Sequence, residues 1–140
     1  CKNGRFMKPK VFNFTSDPGN LEPFRNDLAR YLEEKGFSKN DREDILLSVG
    51  EACTNSIRHA YSGENGREIS VTVEDSGQEV TFKIRDFGKK IDLSKIKMPE
   101  LPPEKPHGLG IYFMRTKMDY LEYNTAHNLG NELILKKFKN

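Results

Sequence analysis

Apolar residues cluster between Lys10 and Thr15, where Val11, Phe12 and Phe14 mark a first strand. Asp17-Pro18 then offers a helix cap followed by a proline at the first helical position. Leu21, Phe24, Leu28 and Leu32 recur at helical spacing until Gly36 stops the helix. Ser38-Lys39-Asn40-Asp41 resembles a capping box, with Asp in place of the usual Glu, and opens a second helix. Its apolar stripe is Ile45, Val49, Ala52, Ile57 and Ala60, and Gly63 and Gly66 end the region. Two alternating segments follow, one with Ile69, Val71 and Val73 on one face, the other with Val80, Phe82 and Ile84. Asp75-Ser76-Gly77-Gln78 joins them as a hairpin turn.

After Asp86 the periodicity is lost. Gly88 to Pro106 holds four prolines and five lysines, and a loop of this length in a small domain is functional or disordered rather than filler. A third helix starts at the glycines of Gly108-Leu109-Gly110-Ile111-Tyr112-Phe113-Met114, and strands at Tyr120 to Asn124 and Glu132 to Phe138 close the chain. This order predicts an α+β two-layer sandwich: a mixed, mostly antiparallel sheet with three helices on one face. Without repeats or a linker, residues 1–140 read as a single domain with a lid loop at 88–106.

Composition narrows the function classes. Lys and Arg total 23 against 21 for Asp and Glu, and a formal charge of +2 makes no electrostatic case for nucleic acid. No apolar run is long enough to span a bilayer, and no signal-peptide pattern opens the chain. Cys1 and Cys53 form neither a disulfide framework nor metal-ligand spacing, which points to a reducing, cytoplasmic setting. A chain that begins with Cys reads as a piece of a longer protein.

Against this background Glu51-Ala52-Cys53-Thr54-Asn55-Ser56-Ile57-Arg58-His59 stands out. At ~100° per residue, Glu51, Asn55 and His59 succeed one another along one helical face. Such a row also occurs on an ordinary solvent-facing helix. Chemically, an amide oxygen suits Mg²⁺, which takes further ligands from phosphates and water, and a nearby carboxylate can take a proton from a hydroxyl or water.

Asp86-Phe87-Gly88 ends a predicted strand, and either it is a plain turn or its carboxylate accepts an amine such as that of adenine, with Gly88 admitting the base closely. Gly108-Leu109-Gly110 at a helix start serves either close packing or phosphate binding by backbone N–H groups. The order of these parts is more specific than any one of them.

In that order the chain resembles the GHKL ATPase superfamily, and within it the bacterial anti-sigma factor serine kinases, over Val11 to Phe138. Ser48 to Asn55 with His59-Ala60-Tyr61 resembles the family's N box. Asp86 to Asp92 is similar to its first glycine box, and His107 to Tyr112 to its second. The resemblance implies Glu51 as general base, Asn55 as Mg²⁺ ligand, and Asp86 as acceptor of the adenine amine. It also implies a nucleotide site shared by His59, Gly88, Ile91, His107, Gly108, Leu109 and Gly110.

A protein serine/threonine kinase using ATP and Mg²⁺ would follow, with a STAS-type antagonist as substrate, a sigma factor as sequestered partner, and a homodimer as its assembly. An ATP-binding regulatory module without turnover is the alternative. Two positions depart from the pattern: Lys90 stands where many superfamily members have glycine, and Gly130 precedes Asn131 where the family often has Gly-Thr.

Overall fold

The computed structural model describes residues 8–92 and 114–139. Strand β1 spans Lys10–Thr15, helix α1 Leu21–Glu34 and helix α2 Lys39–Asn55, followed by a π-helical turn at Ser56–Ala60. Strands β2 (Glu68–Asp75), β3 (Glu79–Asp86), β4 (Tyr120–Tyr123) and β5 (Asn131–Phe138) complete one sheet in the order β1-β2-β3-β5-β4. All four strand pairings are antiparallel, so the expected sheet is present with antiparallel pairing throughout. The helices cover one face of it. The N-terminal part of the expected third helix lies outside the described residues, which show helix at 114–117.

Strand alternation decides which side chains meet the helices. Ile69, Val71, Val73 and Asp75 of β2, Val80, Phe82, Ile84 and Asp86 of β3, and Asn131, Leu133 and Leu135 of β5 are all buried. The inward face is therefore apolar in the middle and polar at both ends. At one end Lys139 Nζ lies 2.7 Å from Asp75 Oδ2, and the Gly77 amide donates to Asp75 Oδ1 at 2.8 Å. At the other end Asp86 and Asn131 are direct partners across β3 and β5.

Helix α1 buries Phe24, Leu28 and Leu32 at i, i+4, i+8, and Phe24 stacks on Phe14 of β1 with ring centroids 4.6 Å apart. Gly36 stops it at φ +83°, a conformation that glycine adopts without the Cβ penalty. Helix α2 packs beside α1 and against β3 and β5, and buries Ile45, Ser48, Val49, Gly50, Ala52 and Cys53, so its small residues face neighbours on more than one side.

The expected Asp17 cap takes a different form. Asp17 precedes a short 3-10 turn at Pro18–Asn20, but its side chain makes no capping bond. It accepts instead from Thr15 Oγ1 at 2.5 Å and from the Gly66 amide at 3.0 Å, tying the end of β1 to the turn before β2. Those two bonds, the Thr15 one foremost, hold the Asp17 carboxyl below the usual range.

Ser38 caps α2 as expected, its hydroxyl oxygen accepting from the Asp41 amide at 3.1 Å. Replacing Ser38 with Ala is expected to cost about 1 kcal/mol of folding free energy. Urea unfolding of the variant beside the parent measures it; an unchanged midpoint would show the cap to be dispensable.

Candidate active site

Asp86 is the last residue of β3 and only 1% exposed. Period-two alternation makes this position the next inward place after Val80, Phe82 and Ile84, so a carboxylate sits where a core residue would otherwise stand. A buried carboxylate needs donors. Its Oδ1 accepts from the Gly88 amide at 3.0 Å and from Asn131 Nδ2 at 2.9 Å, and its Oδ2 accepts from Ser56 Oγ at 2.8 Å. A carboxylate offers about four acceptor sites. With Oδ1 taken twice and Oδ2 once among the described residues, the site left open is on Oδ2. A ligand meeting it must donate.

The end of α2 is shaped to reach this carboxylate. From Ser56 the chain leaves α geometry for a π turn, in which the Tyr61 amide donates to the Ser56 carbonyl at 3.0 Å. Such insertions recur at functional sites. The turn leaves the Ala60 carbonyl free to accept from the Lys89 amide at 2.9 Å. Tyr61, 1% exposed, accepts from the Phe87 amide at 2.7 Å and donates to the Glu68 carbonyl at 2.5 Å. Burial pushes the Tyr61 phenol up, against the hydrogen bond from Phe87 and with the charge of Asp86 adding to the rise. Burial likewise moves the Tyr123 phenol up to about 12, again with Asp86 contributing.

Gly88 has a local reason to be glycine. A Cβ there would collide with the Ala60 carbonyl oxygen and stand 2.8 Å from Tyr61 Cδ1. The close approach that the sequence assigned to a base is, within the protein, an approach to its own π turn. Gly130, at φ +75°, likewise passes so close to the Asp86 carbonyl and Phe87 Cα that any Cβ would overlap them.

Glu51 and Asn55 both lie in α2, one turn apart, and both are half-buried. Among the described residues neither side chain has a hydrogen-bond or ion-pair partner. His59 departs from the expected row. It is exposed and lies inside the π turn, where α-helical spacing no longer relates it to Asn55. Ile91 is half-buried, and its amide donates to Asn131 Oδ1 at 2.9 Å. His107, Gly108, Leu109 and Gly110, and most of the expected lid, lie outside the described residues.

Sequence reasoning missed Ser56, named Tyr61 only within the N-box resemblance and without a role, and treated Asn131 as a departure alone. A signal for Asn131 was present: two polar residues at the inward ends of paired strands must satisfy one another. Among the described residues, no three His, Cys, Asp or Glu side chains gather to hold a metal ion. Nor is any described helix long and apolar enough to cross a membrane.

Comparison with known proteins gives the family and the fold. Residues 14–137 match the model of the histidine kinase-like ATPase domain. The serine-protein kinase RsbW of Bacillus velezensis is 31% identical over 89% of this chain and 82% of its own length. The anti-sigma F factor of Clostridium kluyveri is 30% identical over 91% and 92%. The crystal structure of the RsbU and RsbW domains of Rv1364c from Mycobacterium tuberculosis shares the fold, with a TM-score of 0.69 at 16% identity, over 94% of this chain and 32% of that one.

The packing around Gly88 gives a direct test. Gly88→Ala forces a Cβ into backbone and is expected to cost about 2 kcal/mol, and Ser56→Ala a similar amount by removing a donor from a buried carboxylate. Chemical denaturation reads both. If Gly88→Ala unfolds at the parent midpoint, the contact with Ala60 is not close in solution.

Proposed function

The chain belongs to the histidine kinase-like ATPase family, and from that premise we propose that it is an ATP-dependent protein serine/threonine kinase of the anti-sigma factor type. The observation that carries the nucleotide reading is the single open acceptor on a buried Asp86 whose other sites are taken by donors. An exocyclic amine satisfies that acceptor, as in adenine, whereas the carbonyl oxygen of guanine at the same place would face it acceptor to acceptor. His59 in the π turn, Gly88 and Ile91 in the loop after Asp86, and His107, Gly108, Leu109 and Gly110 complete the proposed nucleotide site.

Glu51 is proposed as the catalytic base, taking the proton that a substrate serine or threonine hydroxyl loses as it is phosphorylated. A half-buried carboxylate with no partner among the described residues suits that task. Asn55, one turn further along α2, fits Mg²⁺: its amide oxygen is a hard ligand and is engaged by no other described residue. When bound, Mg²⁺ would offset the negative charge of the nucleotide phosphates.

The relatives named as serine-protein kinase and anti-sigma F factor support a protein serine as phosphate acceptor and a sigma factor as sequestered partner. We propose further a STAS-type antagonist as the substrate, a homodimer as the working assembly, and a cytoplasmic role in bacterial transcription regulation. A regulatory module without turnover would use Asp86 in the same way and make no use of Glu51.

Three substitutions separate these roles. Glu51→Gln is expected to lower phosphate transfer from ATP to a cognate STAS protein by about a hundredfold or more while ATP binding persists. Unchanged transfer would remove Glu51 as the base, and absence of transfer in the parent protein with ATP still bound would favour the module. Asn55→Ala is expected to abolish the gain in ATP affinity on adding Mg²⁺, read by calorimetry. Asp86→Asn should erase the preference for ATP over GTP, and a preserved preference would place the base elsewhere.

A further inference from the structure

Three neighbouring strands, β3, β5 and β4, carry a polar residue at the same end of the face that the helices cover. Asp86 of β3 and Asn131 of β5 are direct partners, and Tyr123 of β4 stands one inward place short of them, opposite Leu133. Its inward orientation follows from strand alternation: Leu121 and Tyr123 pack against the core, whereas Tyr120 and Glu122 are exposed. For packing, position 123 needs only an apolar side chain like those of Leu121, Leu133 and Leu135.

The hydroxyl is the part that packing does not explain. A phenol drawn into the interior usually finds a partner, as Tyr61 does by accepting from the Phe87 amide and donating to the Glu68 carbonyl. Among the described residues Tyr123 Oη has no hydrogen-bond partner. It does feel the charge of Asp86: burial moves the phenol up to about 12, with Asp86 adding to the rise and Arg115 opposing it. The hydroxyl therefore keeps its proton at neutral pH and is able to donate. Asp86, with Oδ2 open among the described residues, can only accept. Since β5 runs between β3 and β4, a donor and an acceptor flank its inward end from either side.

We infer that Tyr123 is a second base-reading residue: its hydroxyl donates to a ring nitrogen of the adenine whose amine Asp86 receives. This rests on the proposed adenine reading of Asp86. Adenine places an acceptor nitrogen beside its amine on both edges, N1 on one and N7 on the other. An acceptor from β3 and a donor from β4 match that order. Guanine presents two acceptors, O6 and N7, on one edge, and on the other an acceptor O6 beside the N1 hydrogen, the reverse of adenine. Asp86 alone selects for the amine. With Tyr123 the site reads two adjacent atoms, and a base that keeps the amine but lacks the neighbouring nitrogen is rejected as well, because the donor built for it is left unpaired.

The test measures affinity by calorimetry in the full chain, parent and Tyr123→Phe, for ATP, 1-deaza-ATP, 7-deaza-ATP and purine riboside triphosphate, which lacks the amine. Tyr123→Phe removes only the hydroxyl, and its ATP affinity is expected to fall about five- to tenfold, the scale of one neutral hydrogen bond. One of the two deaza nucleotides should bind the parent more weakly than ATP by a similar factor and show no further loss in Tyr123→Phe, which identifies the nitrogen. Purine riboside triphosphate should bind the parent weakly and still lose affinity in Tyr123→Phe, since both ring nitrogens remain.

Unchanged ATP affinity in Tyr123→Phe overturns the inference. A loss equal across all four nucleotides marks a merely structural role and overturns it too. Should Tyr123→Phe fail to fold, Tyr123→Leu takes its place under the same criteria. If purine riboside triphosphate binds the parent as tightly as ATP, the adenine reading of Asp86 fails and the inference with it. A clear requirement for the amine, beside deaza nucleotides that both lose as much as ATP in the variant, defeats the inference alone.

Discussion

A carboxylate held out of water is the constraint on which this end of the molecule depends. An unpaired buried charge is costly enough that proteins avoid it, so once β3 carries Asp86 to its inward face, donors must converge there. They come from three separate segments: Ser56 from the end of α2, the Gly88 amide from the loop, and Asn131 from β5. Each donor fixes the segment that bears it. The position of α2 over the sheet, the path of the chain after β3 and the start of β5 are thus coupled through one side chain. At the opposite end of the sheet, Asp75 is answered more simply by Lys139 and its own hairpin turn.

The π turn is the local consequence of that convergence. A helix continuing in α geometry would keep its carbonyls for its own amides. Here the Tyr61 amide reaches back to Ser56, and the freed Ala60 carbonyl is taken by Lys89. The cost of the irregular turn is offset by bonds it makes possible, including the two that Tyr61 forms with Phe87 and Glu68. Gly88 is the other half of the same contact, since only a residue without Cβ lets the loop lie against the turn. The regular four-residue spacing of acid, amide and histidine in the sequence conceals this break: Glu51 and Asn55 remain on one α-helical face, and His59 does not.

Much of the architecture was legible because it follows from local rules. Strand β1, the alternating β2 and β3 with their Gly77 turn, the Gly36 stop and the Ser38 cap each depend on a few neighbouring residues. Where the reading fell short, the cause was a contact between segments far apart in sequence. Asp17 looks like a cap, yet its carboxylate is drawn to Gly66, 49 residues away. Nothing near Ser56 or Tyr61 announces that Asp86 and Phe87 will be their partners. The π turn escapes any method that assumes a fixed helical period. Asn131 lay between the two cases, since its inward parity beside Asp86 can be counted along β3 and β5 once the strands are known to pair.

The contrast between engaged and unengaged polar groups separates architecture from chemistry at this site. Asn131, Ser56 and Tyr61 are committed to other parts of the chain, and Glu51 and Asn55 to none among the described residues. Asp86 belongs to both groups, with three acceptor sites used internally and one left open. Stability alone does not account for it. An aliphatic residue at 86 would extend the apolar row of Val80, Phe82 and Ile84, and replacing buried ionic groups with well-packed hydrophobes is often neutral or stabilising. A carboxylate kept there, with donors from three segments arranged so that a single acceptor remains, is better explained by what that acceptor meets than by the fold it helps to hold.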